Sequence, residues 1–301
     1  MIKSVKITNY LGDSLILNLR SPELSGFLVK YIDGLGPVKA NINTTEVSTN
    51  DGSIFNSART VSRNIVIGLD FSHALDVESQ RQLSYKFFPI KKNLELVLET
   101  SNRILVTKGY VESNEPNIFS DKEGTVLSIL CPDPYLYSLE KNITVFSGSG
   151  ALFTFPFCNN SISTPLLKFA DIQNLTENVI AYNGDSEIGI EIVIHAIGQA
   201  GTVTIYNTGT RETMVIDNDK ITALTGAGIS SGDEITINTV KGDKRISLLR
   251  DGISTNILNC LTRGSAWFKL VKGDNIFAYS AYSGSSNLQF RIENRIAYEG
   301  A

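Results

Sequence analysis

Two histidines, His73 and His195, and three cysteines, Cys131, Cys158 and Cys260, supply all the imidazole and thiol chemistry available to this chain of 301 residues. They are too few and too scattered for a His-rich metal centre, which needs three or four nitrogen or sulfur ligands, and they form neither a disulfide framework nor a C-x-x-C pair. The cysteines read as buried thiols. His195 falls in the wetter phase of an alternating strand and His73 just ahead of a helix cap, so both read as ordinary structural residues. With 31 acidic residues the fold could bring two carboxylates to a glycosidase spacing, or a serine to His195, so a glycosidase or esterase stays open as a rival reading. The glycines of Thr225-Gly-Ala-Gly-Ile-Ser-Ser-Gly232 do not match G-x-G-x-x-G and a strand follows them, which favours a hairpin loop over a phosphate cradle. Trp267, Tyr279 and Tyr282 are the aromatic side chains on which a sugar could stack. Trp267, inside Ala266-Trp-Phe-Lys-Leu-Val271, equally suits a position packed between sheets.

More informative chemistry lies in Asn50-Asp-Gly-Ser-Ile-Phe-Asn-Ser-Ala-Arg-Thr-Val-Ser-Arg-Asn-Ile-Val-Ile-Gly-Leu-Asp-Phe71. An Asp51-Gly52 turn leads into an alternating stretch, Arg59 to Phe71, in which Val61, Ile65, Ile67, Leu69 and Phe71 share one face. Arg59 and Arg63 fall in that apolar phase. A buried guanidinium must be paired, so each arginine either opens to solvent at a strand end or meets a partner across an interface. For Arg63 the partners to try are Asp51, Asp70 or Glu46 of a neighbouring copy.

The elements that must position these residues are mostly strands. Leu15 to Leu19, Lys39 to Val47, Asn93 to Glu99, Ile104 to Val111 and Thr125 to Leu130 alternate or run β-branched between Gly, Asn and Asp. One helix is predicted, Val77 to Phe87, with Asp76 as N-cap and Pro89 beyond its end, docking through Leu83 and Phe87. The first half therefore reads as α+β. The second half is nearly pure β: Ile188, Ile190, Ile192 and Ile194 alternate, and turns at Asn207 to Thr210, Lys241 to Lys244, Arg250 to Gly252 and Lys272 to Asn275 set a sandwich cadence. The predicted organisation is a first domain over 1–137, a linker over 138–150 ending Ser147-Gly-Ser-Gly150, and a β-sandwich over 151–301.

Several segments together resemble the distal tail proteins of siphophages. They are Ile7-Thr-Asn-Tyr-Leu-Gly-Asp-Ser-Leu15, Ile32-Asp-Gly-Leu-Gly-Pro37, the Asp51-Gly52 loop, Ser62-Arg-Asn-Ile65 and Leu130-Cys-Pro-Asp-Pro-Tyr-Leu-Tyr137. More loosely, Gly232-Asp-Glu-Ile-Thr-Ile-Asn-Thr239, Ser265-Ala-Trp-Phe-Lys-Leu270 and Gly273-Asp-Asn-Ile276 resemble the C-terminal galectin-like, carbohydrate-binding-module-like sandwich of phage tail components. The resemblance implies a non-enzymatic virion protein without cofactor or metal, at the distal end of the tail. It would form a ring, hexameric in its relatives' manner, through the N-terminal belt domain, with Asp51, Gly52, Arg59, Arg63 and Asn64 at the contact. Its implied partners are the tail tube protein and the tail-associated hub, baseplate and receptor-binding proteins, with DNA passing through the ring. The alternative is a carbohydrate-binding module for host-surface adhesion, resting on Trp267, Tyr279 and Tyr282.

The formal net charge of −4, with no basic balance in either half, predicts no stable binding of nucleic acid. The N-terminus lacks an apolar signal region and no run of about eighteen apolar residues occurs, so synthesis in the host cytoplasm and no membrane insertion are expected.

Overall fold

A computed structural model describes residues 2–46, 48, 51–72, 76–120, 122–151 and 170–301. His73 and Cys158 lie outside the described residues. The chain divides into two units, residues 1–140 with 297–301, and residues 141–296.

The first unit opens with β1 (Ile2–Asn9), β2 (Ser14–Asn18) and β3 (Phe27–Asp33), followed by β4 (Ala40–Glu46), β5 (Ser53–Thr60) and β6 (Arg63–Phe71). The helix α1 (Val77–Phe87) precedes β7 (Asn93–Thr100), β8 (Ile104–Asn117), β9 (Gly124–Cys131) and β10 (Leu136–Ser138). Seven of the strands order as β2-β1-β7-β8-β9-β6-β3, every neighbouring pair antiparallel. Val5, Ile7, Ile65, Ile67, Leu69, Leu96, Leu98, Leu127 and Ile129 place their apolar phase on one buried face. The expected strand from Arg59 to Phe71 is two strands, because the chain leaves one sheet after Thr60 and enters another at Arg63. From Arg63 onward the predicted alternation is the observed one.

The helix α1 has the predicted bounds. The Asp76 carboxylate caps it by accepting from the Ser79 amide, which satisfies one of the orphan donors of the first turn. Its buried face, however, is Gln80, Ser84 and Phe87, while Leu83 stays 42% exposed. Hydrogen bonding explains the difference. The Gln80 amide group bonds the Ser72 backbone in both directions, and Ser84 exchanges hydrogen bonds with Asn114 of β8, so polar contacts set the helix rotation.

In the second unit β11 (Asn142–Val145), β12 (Ser147–Ala151), β13 (Ala170–Asn174), β14 (Glu177–Tyr182), β15 (Ile188–Gly189), β16 (Glu191–Ala196), β17 (Val203–Asn207) and β18 (Glu212–Ile216) lead to α2 (Asn218–Thr225). Then come β19 (Glu234–Asn238), β20 (Arg245–Arg250), β21 (Ile253–Asn256), β22 (Lys269–Leu270), β23 (Gly273–Ala281) and β24 (Leu288–Asn294). A six-stranded sheet, β11-β24-β16-β19-β20-β21, and a four-stranded one, β14-β23-β17-β18, enclose the core. Ile192, Ile194, Ile235, Ile237 and Ile292 face inward from the first, and Val203, Ile205, Met214, Phe277 and Tyr279 from the second. Tyr279 stacks on Phe290 at 3.7 Å between centroids, which joins the two layers.

Four details differ from expectation. Residues 138–150 carry β11 and most of β12 rather than a bare linker. The turn at Lys272 to Asn275 passes the chain from β22 to β23, which lie in different sheets. Residues 218–225 form a helix whose C-cap, Gly226, takes a left-handed φ of 83°, so the glycine cluster starts as a helix stop. Finally, the chain returns to the first unit as β25 (Ala297–Tyr298), which pairs with β10 rather than joining the sandwich.

Candidate functional site

Strands β4 and β5 form a two-stranded sheet of their own, and every one of their residues is exposed. The turn between them includes Asp51 and Gly52, with Gly52 at φ 88°, a left-handed conformation that favours glycine. In register, Asn41 faces Arg59, Ile42 faces Ala58, Asn43 faces Ser57, Thr44 faces Phe55 and Thr45 faces Ile54. The period of two therefore puts Ala40, Ile42, Thr44, Glu46, Ser53, Phe55, Ala58 and Thr60 on one face, which carries the apolar Ile42 and Phe55, and Asn41, Asn43, Thr45, Ser57 and Arg59 with the apolar Ile54 on the other, mostly polar, face. The polar face is internally bonded: Asn43 donates to Ser57 and Asn56 donates to Thr45. The apolar face has no cover. Phe55 and Ile42 are each 63% exposed, and burying two such side chains is worth about 1.5–3 kcal/mol each. An isolated two-stranded hairpin is marginal in water, and among the described residues nothing packs on this face.

Arg63 holds the base of this hairpin. Its side chain is 1% exposed, and no carboxylate among the described residues accepts a hydrogen bond from it. The guanidinium instead donates to four backbone carbonyls: Nη1 to Gly34 and to Gly36 (2.8 Å), Nε to Pro134 (2.8 Å) and Nη2 to Glu299 (2.7 Å). Gly34 and Gly36 lie just before β4, and Arg63 lies just after β5, so one side chain ties together the two legs that carry the hairpin. Gly34 is needed here. It sits at φ 84°, and a Cβ on it would collide with the Asn64 carbonyl. Burial pulls the Arg63 pKa down, partly opposed by Cys131 and Asp133, while the same burial pushes the Cys131 thiol up. Arginine keeps its charge under such a shift, so the clamp remains cationic.

The expectation that Arg63 reaches a carboxylate on a neighbour is thus corrected: the side chain is buried and four of its five N–H donors bond carbonyls inside the unit. Arg59 is an exposed residue of β5, and Asp51 and Gly52 are exposed in the turn. Asn64 is exposed on the outer face of β6, where its side-chain oxygen accepts from Ser128. The hairpin thus groups Asp51, Gly52 and Arg59 but leaves Arg63 and Asn64 at its foot. Sequence reasoning missed Ile42 and Phe55. The available signal was Ile54-Phe55 one residue after an Asp-Gly turn, in a strand otherwise made of Ser, Asn, Ala, Arg and Thr.

In the second unit the three candidate aromatics separate. Tyr279 is buried, its hydroxyl donating to the Leu288 carbonyl, so it packs the core and offers no platform. Trp267 is half-buried with the Lys244 ammonium 5.1 Å from its ring centroid; Phe268 fills the core position beside it. Tyr282 is 93% exposed. His195 lies between Glu234 and Gln289 in the sheet. Gly228-Ile-Ser-Ser-Gly232 spells G-x-S-x-G, but it joins a helix to a strand, the reverse of a nucleophile elbow. Its Ser230 hydroxyl donates to Asp233, whose carboxylate is held by Arg250 at 2.8 and 2.6 Å, so that serine has no free base. Among the described residues no three His, Cys, Asp or Glu side chains cluster as metal ligands.

No protein-family model matches the chain, and no curated protein does. Solved structures do. The Dit protein of phage SPP1, described as a paradigm of the hub adsorption apparatus in phages infecting Gram-positive hosts, matches with a TM-score of 0.66 at 11% identity, over 97% of this chain and 99% of that one. A chain of the phage P2 baseplate in its activated conformation with Ca matches with a TM-score of 0.53 at 12% identity, over 98% of each chain. The same baseplate with Sr gives 0.52 at 13%, over 97% of each. Along nearly its whole length, this chain has the fold of phage tail-hub and baseplate proteins.

Proposed function

We propose that this protein is a structural, non-enzymatic hub of a phage tail, assembling into a ring at the distal end of the tail tube. The observation that carries the reading is the fully exposed hairpin β4–β5 with its uncovered Ile42 and Phe55, on a fold shared over its full length with hub proteins. In the ring the apolar face of each hairpin packs on a neighbouring copy. Asp51, Gly52 and Arg59 line the polar rim of that contact, Asn64 lies at its foot, and the Arg63 clamp fixes the direction in which the hairpin projects. Six copies, a central passage for DNA, and docking to the tail tube above and to baseplate or receptor-binding proteins below complete the proposal. Native mass spectrometry of the full chain tests it. Six-fold assemblies are expected, and the double substitution Ile42→Ser with Phe55→Ser should release folded protomers with an unchanged melting temperature. A chain that stays monomeric at all concentrations, or a ring indifferent to the double substitution, overturns the reading.

A second reading, a carbohydrate-binding role for residues 141–296, loses Tyr279 to the core but is favoured by the exposed ring of Tyr282.

A further inference from the structure

The sequence contains a single Asn-Gly pair, Asn183-Gly184, and the fold sets it where the chain leaves β14 for β15. The ladder of β14 with β23 ends at Tyr182 opposite Gly273, so both residues of the pair lie past its last rung. Asn183 is exposed, and among the described residues neither its carboxamide nor the Gly184 amide makes a hydrogen bond. The loop is nonetheless held. The Tyr182 hydroxyl donates to the Ser186 carbonyl at 2.7 Å, and the same phenol lies so close to Gly184 that a Cβ there would collide with it. Packing thus demands glycine after Asn183, and glycine is the residue that shields its own amide nitrogen least.

From this geometry we infer that Asn183 is a site of spontaneous covalent modification, deamidating through a cyclic imide formed with Gly184. The Gly184 nitrogen attacks the Asn183 side-chain carbonyl carbon, a C–N bond forms, the Cγ–Nδ2 bond breaks, and the amide proton leaves with that nitrogen as ammonia. Proximity makes the step intramolecular. Water then opens the imide at either carbonyl, giving aspartate or, with the chain rerouted through the side chain and one methylene longer, isoaspartate. The balance is asparagine plus water to a carboxylate isomer plus ammonia, and no other reagent is needed. The pairs Asp33-Gly34, Asp51-Gly52 and Asp251-Gly252 could close the same ring, but only by attack on a carboxylate, whose charge repels a nucleophile. Asn183 therefore reacts first. Each conversion adds a carboxylate to the loop that already carries Asp185 and Glu187 and moves the formal net charge one unit below −4.

Peptide mapping by mass spectrometry, after incubation of the full chain at mildly alkaline pH with and without urea, tests the inference. In the folded protein the peptide spanning residue 183 is expected to gain about 1 Da and to become a substrate for a protein isoaspartate methyltransferase. Asn183→Gln, whose imide would need a larger ring, should slow the gain about tenfold or more. Because Asn183 is exposed and unbonded among the described residues, that substitution leaves the fold intact. A gain seen only in urea would show that the folded loop holds the carboxamide away from the nitrogen, and it would overturn the inference. An unchanged mass in both conditions, or an equal gain in Asn183→Gln, would do the same.

Discussion

At the scale of single residues, a buried arginine does the opposite of what a charge on a strand face first suggests. Arg63 reads from sequence as half of an ion pair between copies, yet its four acceptors are carbonyls of Gly34, Gly36, Pro134 and Glu299, three separate stretches of chain. No spacing rule reveals that, because backbone acceptors leave no mark in a sequence. Removing the guanidinium breaks four charge-assisted hydrogen bonds at once, each worth about 1.5–3 kcal/mol, and empties a buried site. Arg63→Ala, and Arg63→Glu still more, should therefore unfold the first unit in urea at a midpoint far below wild type, whatever happens to assembly. An Arg63→Ala protein with an unchanged midpoint would mean the carbonyls are bonded otherwise. Asp233 provides a pH counterpart. Burial alone would raise its pKa, but hydrogen bonds from Arg250 and Ser230 outweigh burial and hold it below the ordinary carboxylate range. A depressed folded-state pKa gives stability that is present above the unfolded value of about 3.9 and lost as pH falls through the folded one. Urea midpoints of residues 141–296 should thus fall on acidification below about pH 4, and Asp233→Asn should lower the neutral-pH midpoint and flatten that fall.

At the scale of elements, the hairpin and the helix separate what patterning can predict from what it cannot. The bounds of α1 were legible, since an Asp cap and a following Pro89 act locally. Its buried face was not, because Gln80 and Ser84 are oriented by partners at Ser72 and Asn114. Phe87→Ala should accordingly cost about 3–5 kcal/mol by the cavity it leaves, whereas Leu83→Ala should shift the thermal midpoint little. Equal losses at the two positions would show the helix seated as the sequence pattern suggests. Strand pattern succeeded from Ile65 to Phe71 and in the isoleucines from Ile188 to Ile194, where one buried face imposes a period of two. It failed at α2, whose β-branched residues and single buried Ile221 make a weak helical signal. The hairpin β4–β5 was legible only in its first strand and its Asp51-Gly52 turn; β5 was not expected as a strand of its own, and neither was the hairpin's separation from the main sheet. With no buried face of its own, it should exchange its amide hydrogens rapidly in a dissociated protomer and slowly in an assembled ring. Equal exchange in both states would place the contact elsewhere.

On the scale of the whole molecule, the two units are connected in a way that changes how they can be taken apart. Leu136 pairs with Tyr298 and Tyr137 with Ala297, so β10 and β25 run antiparallel as the arms of a hairpin. Residues 141–296 occupy the place of the turn between those arms, and the second unit is an insertion within the first rather than an appendage after it. A cut after residue 137, the boundary that sequence punctuation suggests, removes β25, the Glu299 carbonyl bound by Arg63, and the Ala301 amide that donates to Leu35. Such a fragment loses one acceptor of the clamp and leaves Leu136 without its partner strand. Joining residue 140 to residue 297 through two glycines keeps all three, because the strand ends are already adjacent in register and a short loop costs little closure entropy. The spliced protein should therefore fold, with a melting temperature near that of the first unit in the full chain, while the 1–137 fragment aggregates or melts well below it. The spliced form also carries the whole hairpin β4–β5, so in the proposed ring it should still assemble. A splice that fails to fold while 1–137 folds well would mean that the C-terminal return is incidental and that the first unit is complete without it.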